Sequence, residues 1–403
     1  MFLSRFNAAE FIVLYLLISS AYLLLIFKAK NLGQASYNFL LGAAVGIRAL
    51  LLFTPVELTS DIWRYIWEGK VLLAGHSPYE LAPNNLELFS LRENWWHMIQ
   101  HNNLTAIYPP FALYCFALFA KSILSWKAFL FICEAISLRF IILLLKEYKL
   151  PKENIFIYAF SPLALIEIMV SGHLEGLLIT LILGFLYYAK REKYLGSIFI
   201  ALAIATKYVA IVPYLYFLIQ TGNKKSILRE LVGTTTIILI LFSPFILNLE
   251  SLFNSFGTYL EHWKFNASTF EALGTLVRVN WQDSSSFIGI KYLLALVWFG
   301  ILYFYYQAKL ELSKFTVYAF ITLLLLSPVV HPWYLLWFAP FLCFANISAG
   351  FGFTLTVLIS YYPMLTAGQY ELSLTQALLE YLPIYALLFF VDLKTDFFSH
   401  QNA

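Results

Sequence analysis

Ser60-Asp61-Ile62-Trp63-Arg64-Tyr65-Ile66-Trp67-Glu68-Gly69 lies within a polar stretch, 55–106, between the apolar runs 37–54 and 107–125. This is the longest segment that cannot sit in a lipid bilayer, and it comes early in a chain that is otherwise mostly apolar. Hydrophobic residues make up 61% of the sequence and charged residues 12%. A soluble domain carries roughly twice that share of charge. The mean hydropathy is +0.75. The expected fold is therefore all-α, a polytopic integral membrane protein. Only helices satisfy their own backbone groups segment by segment in lipid. Counting apolar runs gives roughly twelve to fourteen spans, some of them short. One transmembrane domain over 1–403 is expected, with two long polar excursions, 55–106 and 250–286.

The net charge of +3 is too small to imply a nucleic-acid partner. Cys115, Cys133 and Cys343 fall far apart inside apolar runs, so neither a disulfide framework nor a zinc site is expected. The first run, Phe11 to Phe27, reads as a retained span rather than a cleaved signal. Basic clusters at Lys190 to Lys193, Lys224-Lys225 with Arg229, Lys309 to Lys314 and Lys394 are expected on the cytoplasmic face. That places five sites on the opposite face, together with the loop 55–106. They are the turn Ser171 to Glu175, the break at Lys207, the loop around Trp263 and Asn266, the turn Val330 to Trp333, and the loop around Gln369. One count fails. Lys121 and Lys127 favour the inside, as do Lys146, Lys149 and Lys152, and a single span between them cannot serve both. Either one of 107–125 and 127–146 is broken or re-entrant, or the rule is violated once.

Charge at membrane depth is costly and points to function. Asp61, Arg64, Tyr65 and Glu68 recur at three- and four-residue spacing and share a helix face. Ser60 suits an N-cap, and Asp61 then sits in the first turn, where a carboxylate is favoured. A capped surface helix with an Asp61–Arg64 or Arg64–Glu68 pair explains this pattern as well as chemistry does. Glycosyl transfer needs one carboxylate to take the acceptor's hydroxyl proton, and Asp61 is a candidate. Arg64 is a forked, permanently charged candidate for a phosphate, and Lys207 and His331 are further ones. Trp63, Tyr65, Tyr79, Tyr108, Trp263, Trp333 and Tyr334 suit either a membrane interface or a sugar site. Glu68, His101, His173, Glu175 and Asn266 complete the polar candidates for sugar or acceptor contacts. One histidine and one glutamate at 173 and 175 do not make a metal site, so neither metal nor cofactor is expected.

These pieces, in order, resemble a bacterial member of the GT-C superfamily of glycosyltransferases. The closest likeness is to mannosyltransferases that use polyprenyl-phosphate sugars, including relatives of the first mannosyltransferase of GPI-anchor assembly. The resemblance is carried by residues 60–69, Gly75-His76-Ser77-Pro78-Tyr79, and His101 with Ile107-Tyr108-Pro109-Pro110. Ser161-Pro162 leading to Gly172-His173-Leu174-Glu175, then Lys207, Trp263 to Asn266, and His331-Pro332-Trp333-Tyr334 continue it. It implies an inverting transfer of a hexose, by family bias mannose, from a polyprenyl-phosphate donor with Asp61 as general base. The implied acceptor is a glycolipid, glycan or protein. The implied setting is the bacterial inner membrane, with the site on its periplasmic side. The chain departs from many relatives in having Ser60-Asp61 where they carry two adjacent acids, and His173-Leu174-Glu175 where they carry His-Asn-Asp. Two alternatives remain open. One is a transporter or flippase for lipid-linked sugars, against which the one-sided polar residues and the lack of a visible repeat count. The other is a non-catalytic subunit of a glycan-assembly complex.

Overall fold

The computed structural model describes residues 8–30, 32–56, 58–189, 191, 193–278, 284–366 and 372–398. Lys190 and Gln369, named above, lie outside these. Among the described residues the chain is mainly helical, with a single isolated bridge between Phe265 and Val329 in place of any strand. The polytopic all-α expectation holds. Among the described residues, five helices are long and apolar enough to cross a membrane, or six if the bent pair Lys152–Ala159 and Pro162–Val170 counts as one. Six further apolar helices of 10–17 residues accompany them, so the expected dozen or more runs divide into long and short elements. The expected span over 333–346 is instead two 3-10 segments, Pro332–Trp337 and Ala339–Cys343. Pro340, inside that run, lacks the N–H that a continuous helix needs there, whereas Pro332 stands at a helix start where none is needed.

The helices are α1 (Ala8–Ala29), α2 (Gln34–Leu51), α3 (Asp61–Leu73), α4 (Pro110–Phe119) and α5 (Ile123–Glu147). After the bent pair come α6 (Glu175–Ala189), α7 (Lys193–Ile204), α8 (Ile211–Thr221), α9 (Lys224–Phe242) and α10 (Leu249–His262). Then follow α11 (Thr269–Leu276), α12 (Ser284–Gln307), α13 (Leu312–Leu326), α14 (Ser348–Thr356) and α15 (Leu374–Leu387). The chain forms two compact units, and neither is one continuous stretch. One unit holds 43–144 and 165–260, and the other holds 1–42, 145–164 and 261–403.

The unit that carries 43–144 and 165–260 contains the polar loop. Its helix α3 is buried on two faces, Ile62, Tyr65 and Ile66 at helical spacing on one and Trp67 and Val71 on the other. Its C-terminus is a Schellman motif. The His76 N–H donates to the Val71 carbonyl at 3.2 Å and the Gly75 N–H to that of Leu72 at 3.1 Å. Gly75 takes φ +84°, which only glycine adopts without strain, so it ends the helix. Beyond it, Leu88 and Ile99 pack on Trp67 and Val71, with Trp63, Trp95 and Trp96 around them. These tryptophans are the loop's own core. Arg92 lies 4.3 Å over the Trp96 ring and donates to the carbonyls of Pro83, Asn84 and Asn85. The opposite side of α3 rests on α4, where Gly69 lets the two backbones meet. A Cβ there would stand 2.5 Å from the Phe116 carbonyl.

Helix α4 has ten residues. At 1.5 Å per residue it spans about 15 Å, half the hydrocarbon thickness. Its first free N–H groups, those of Phe111 and Ala112, donate to the Ala205 carbonyl at 2.9 and 3.3 Å. Helix α5 is unbroken over 25 residues. Its Lys127 is buried and donates to the carbonyl and hydroxyl of Thr54, just past the end of α2. Glu134, further along α5, holds Arg48 of α2 in a buried ion pair at 2.9 Å. The N-terminus of α5 therefore lies beside the point where the chain leaves α2 for the polar loop. Within 107–125 the helix is the short one, whereas 127–146 lies in a continuous helix.

Candidate functional site

Asp61 opens α3. The expected N-cap, Ser60, occupies the cap position without a side-chain hydrogen bond. The Asp61 N–H donates instead to the Thr59 hydroxyl at 3.1 Å. Behind Asp61, the chain leaves the bent pair through a π-helical turn, Leu165–Val170. There the Ser171 N–H reaches the Ile166 carbonyl at 2.8 Å. Gly172, at φ +78°, reverses the chain, and a Cβ on it would stand 2.8 Å from Ile62 of α3. The Gly172 carbonyl accepts the Trp126 indole N–H at 2.8 Å. The turn is thus fixed from α3 and α5 together, and it delivers His173 behind Asp61.

His173 is fully buried. Its Nδ1 lies 3.7 Å from Asp61 Oδ2, and its Nε2 lies 3.1 Å from Glu167 Oε2. Its backbone N–H also donates to the Glu167 carbonyl at 2.9 Å. Three groups stand in a row: an acid, an imidazole and a second acid. Glu167, Glu175 and Glu68 are at most 2% exposed, whereas the Asp61 side chain keeps 32%. Lys207 is the N-cap of the 3-10 turn Tyr208–Ala210, at the expected break in the chain, and pairs with Glu175. Burial pushes the Asp61 carboxyl above its ordinary pKa and Glu175 adds to that, while His173, Lys207 and Arg64 pull it down. At His173, burial works against the imidazolium. The hydrogen bond and charge of Glu167, with Asp61 and Glu175, outweigh it, and the pKa is raised.

Arg64 has a different place from the one its charge suggests. Its Nε–H and one Nη2–H reach Glu68, at 3.0 and 2.8 Å. Nη1 donates to the carbonyls of His101 at 3.3 Å and Leu104 at 2.9 Å, and Nη2 to that of Thr105 at 3.1 Å. All five guanidinium N–H groups are engaged. Of the two pairs read from spacing, Arg64–Glu68 is the one that forms. Arg64 straps the end of the loop to α3, and in this arrangement has no donor left for a phosphate. His101 supplies its carbonyl from φ +48°, and its imidazole is on the outside.

The remaining sequence candidates divide by unit. Tyr65 is buried, stacked on Phe116 at 4.6 Å and edge-on to Tyr108 at 5.4 Å. Trp63 stacks on Trp95 at 5.5 Å. The buried Tyr79 donates to the Tyr108 carbonyl at 2.6 Å. Tyr65, Tyr79 and the fully buried His173 therefore face the protein, whereas Tyr108 and Trp63 are partly open. A cleft of about 240 Å³ lined by His76, Tyr79, Glu80 and Tyr114 lies at the far end of α3 from Asp61.

Trp263, Asn266, His331, Trp333 and Tyr334 belong to the other unit. There the Phe265–Val329 bridge sets the His331 ring 4.7 Å from Phe265 and 4.3 Å from Trp333, stacked on both. Tyr334 stacks on Trp337 at 4.4 Å. Asn266, at φ +50°, donates to Glu380 at 2.9 Å, and the Tyr381 hydroxyl donates to the Asn266 carbonyl at 2.6 Å. Two acids were missed in the sequence, Glu167 and Glu380. Each is a lone carboxylate in an apolar run, and that signal alone would have marked them. Among the described residues, no group of three or more His, Cys, Asp or Glu is placed to hold a metal ion.

These features define a polytopic helical membrane protein with one open carboxylate set over a buried cluster of acids, imidazole and cations. The chain belongs to the alpha-(1->6)-mannopyranosyltransferase family, whose N-terminal domain matches residues 7–221, just over half of its length. It is accordingly a glycosyltransferase of the mannosyltransferase kind. The match spans Asp61, His173, Glu175 and Lys207 and ends before Trp263. No curated protein and no solved structure matches the chain.

Proposed function

We propose that the chain moves a mannosyl residue from a polyprenyl-phosphate donor to a hydroxyl of a glycan, glycolipid or protein acceptor. The reaction takes place on the periplasmic side of the bacterial inner membrane, within a GT-C-type fold. Asp61 is the general base. It takes the acceptor's proton as that oxygen bonds to the anomeric carbon, and polyprenyl phosphate departs with the electrons of the broken C–O bond. An α-(1→6) product, as the family name suggests, formed with inversion calls for a β-linked donor.

The observation that carries this reading is the exposure of Asp61 amid otherwise buried carboxylates. A base must reach its substrate, and Glu68, Glu167 and Glu175 do not. Lys207 is the candidate for the leaving phosphate. It is 21% exposed and belongs to the same cluster as Asp61. A phosphate would draw it from Glu175, offsetting charge as it develops. The exposed apolar side chains of α9, in the same unit as Asp61, suit an isoprenoid tail.

The test is transfer from radiolabelled polyprenyl-phosphate-mannose to membrane acceptors by purified wild-type protein and Asp61→Asn. Wild type is expected to label a glycan or glycolipid. The variant is expected to lose turnover by on the order of 100-fold or more while still binding donor. Wild-type turnover by Asp61→Asn would sink the base assignment, and no transfer by either protein would sink the donor class.

A further inference from the structure

We propose that His173 and Glu167 form a positioning pair for the catalytic base: Glu167 holds the His173 imidazole protonated and oriented, and the imidazolium aims and steadies the Asp61 carboxylate. This rests on the reading of Asp61 as the base.

The geometry carries it. Glu167 and His173 are bound to each other twice, through the carboxylate to Nε2 at 3.1 Å and through the backbone at 2.9 Å. Both are buried, so neither touches substrate. The remaining ring nitrogen, Nδ1, points at Asp61 Oδ2 from 3.7 Å. The π-helical turn and the reversal at Gly172 are what bring that nitrogen there. A plain packing role does not need an acid at the bottom of the pocket, and a buried carboxylate beside an imidazole is costly unless the ring is charged.

The protonation logic follows from the atoms. With Nε2–H donating to Glu167, a neutral ring presents a lone pair at Nδ1 and repels the Asp61 carboxylate. A charged ring presents N–H and attracts it. The charged groups facing the pair are Glu167 from the π turn, Glu175 from α6, Lys207 from the chain break and Arg64 from α3 itself. Glu68 and Tyr65 of α3, with His101 and Tyr108 of the loop, are further titratable neighbours of Asp61. Asp61 must be ionised to act, so activity appears as pH rises through its raised pKa. It falls again when His173 loses its proton. Removing the imidazolium takes away a charge that lowers the Asp61 pKa, so the acid limb moves up. Removing the Glu167 charge lowers the His173 pKa, so the alkaline limb moves down.

The experiment is mannosyl transfer across pH by wild type, Asp61→Asn, His173→Asn and Glu167→Gln, with donor KM measured for each. In His173→Asn the acid limb of kcat/KM is expected to rise by about one pH unit. Its kcat is expected to fall on the order of 10–100-fold with donor KM nearly unchanged. Glu167→Gln is expected to keep the acid limb within the wild-type region and to lose activity at lower alkaline pH. An inactive Asp61→Asn beside a His173→Asn of wild-type pH profile overturns the positioning pair and leaves the base standing. An active Asp61→Asn overturns both. If His173→Asn does not purify folded, Glu167→Gln decides: an unmoved alkaline limb overturns the inference and a lowered one supports it.

Discussion

Arg64 shows how one side chain can be misread from its charge. Spacing offers it a carboxylate partner or a phosphate, and the structure gives it Glu68 and three carbonyls of the loop's return, at His101, Leu104 and Thr105. A lysine has three donors in place of five and no fork to reach both sides. Arg64→Lys is expected to free the loop end, at a cost of about 1–3 kcal/mol for the lost charge-assisted bonds. Limited proteolysis should then cut between residues 93 and 106 faster than in wild type, with the donor KM changed little. A large rise in donor KM without faster cutting would return Arg64 to the phosphate. Asp61, by contrast, makes no strap of this kind, and its openness is what separates it from three buried glutamates.

At the scale of elements, glycines set the spacing around Asp61. Gly69 allows α3 to lie against the backbone of α4, and Gly172 allows the turn carrying His173 to lie under Ile62. Backbone atoms cannot move aside as a side-chain tip can. Gly69→Ala is therefore expected to push α3 off α4 and to destabilise the protein by about 1–3 kcal/mol. A lowered melting temperature in detergent, together with reduced kcat, would be the outcome, and an unchanged melting temperature would argue against this close approach. The neighbouring tryptophans follow the same logic. Trp67, Trp95 and Trp96 are spent on the loop's own core, which is why the segment 77–106 is a structured cover rather than a free tether.

For the whole molecule, the open question from charge counting was where the chain crosses the membrane between residues 105 and 150. From the length of α4 and the contact of Lys127 with Thr54 we propose a single crossing there, made by α5. Lys121 and Glu87 are both exposed and lie on the same side by this reading. Cysteines placed at either position are expected to react with a membrane-impermeant thiol reagent added from the same face. Labelling of Lys121→Cys only after permeabilisation would show that α4 crosses after all. Lys127 is itself buried, with its ammonium donating to the Thr54 carbonyl and hydroxyl.

The sequence by itself determined that this is a helical membrane protein, that residues 60–73 form a helix with Asp61 in its first turn, and that breaks fall at Ser171 to Glu175 and at Lys207. Those readings depend on local composition, on proline and glycine, and on short periodicity, all of which are written along the chain. Tertiary structure decided which polar side chain stays open, that Arg64 serves the loop, that 333–346 folds as two 3-10 segments rather than one helix, and that Glu167 stands behind His173. Exposure and charge pairing depend on which distant segments meet. Asp61, Glu167, Glu175 and Lys207 come together only once the π turn, α6 and the break at Lys207 pack against α3, and no spacing rule within one segment can report that.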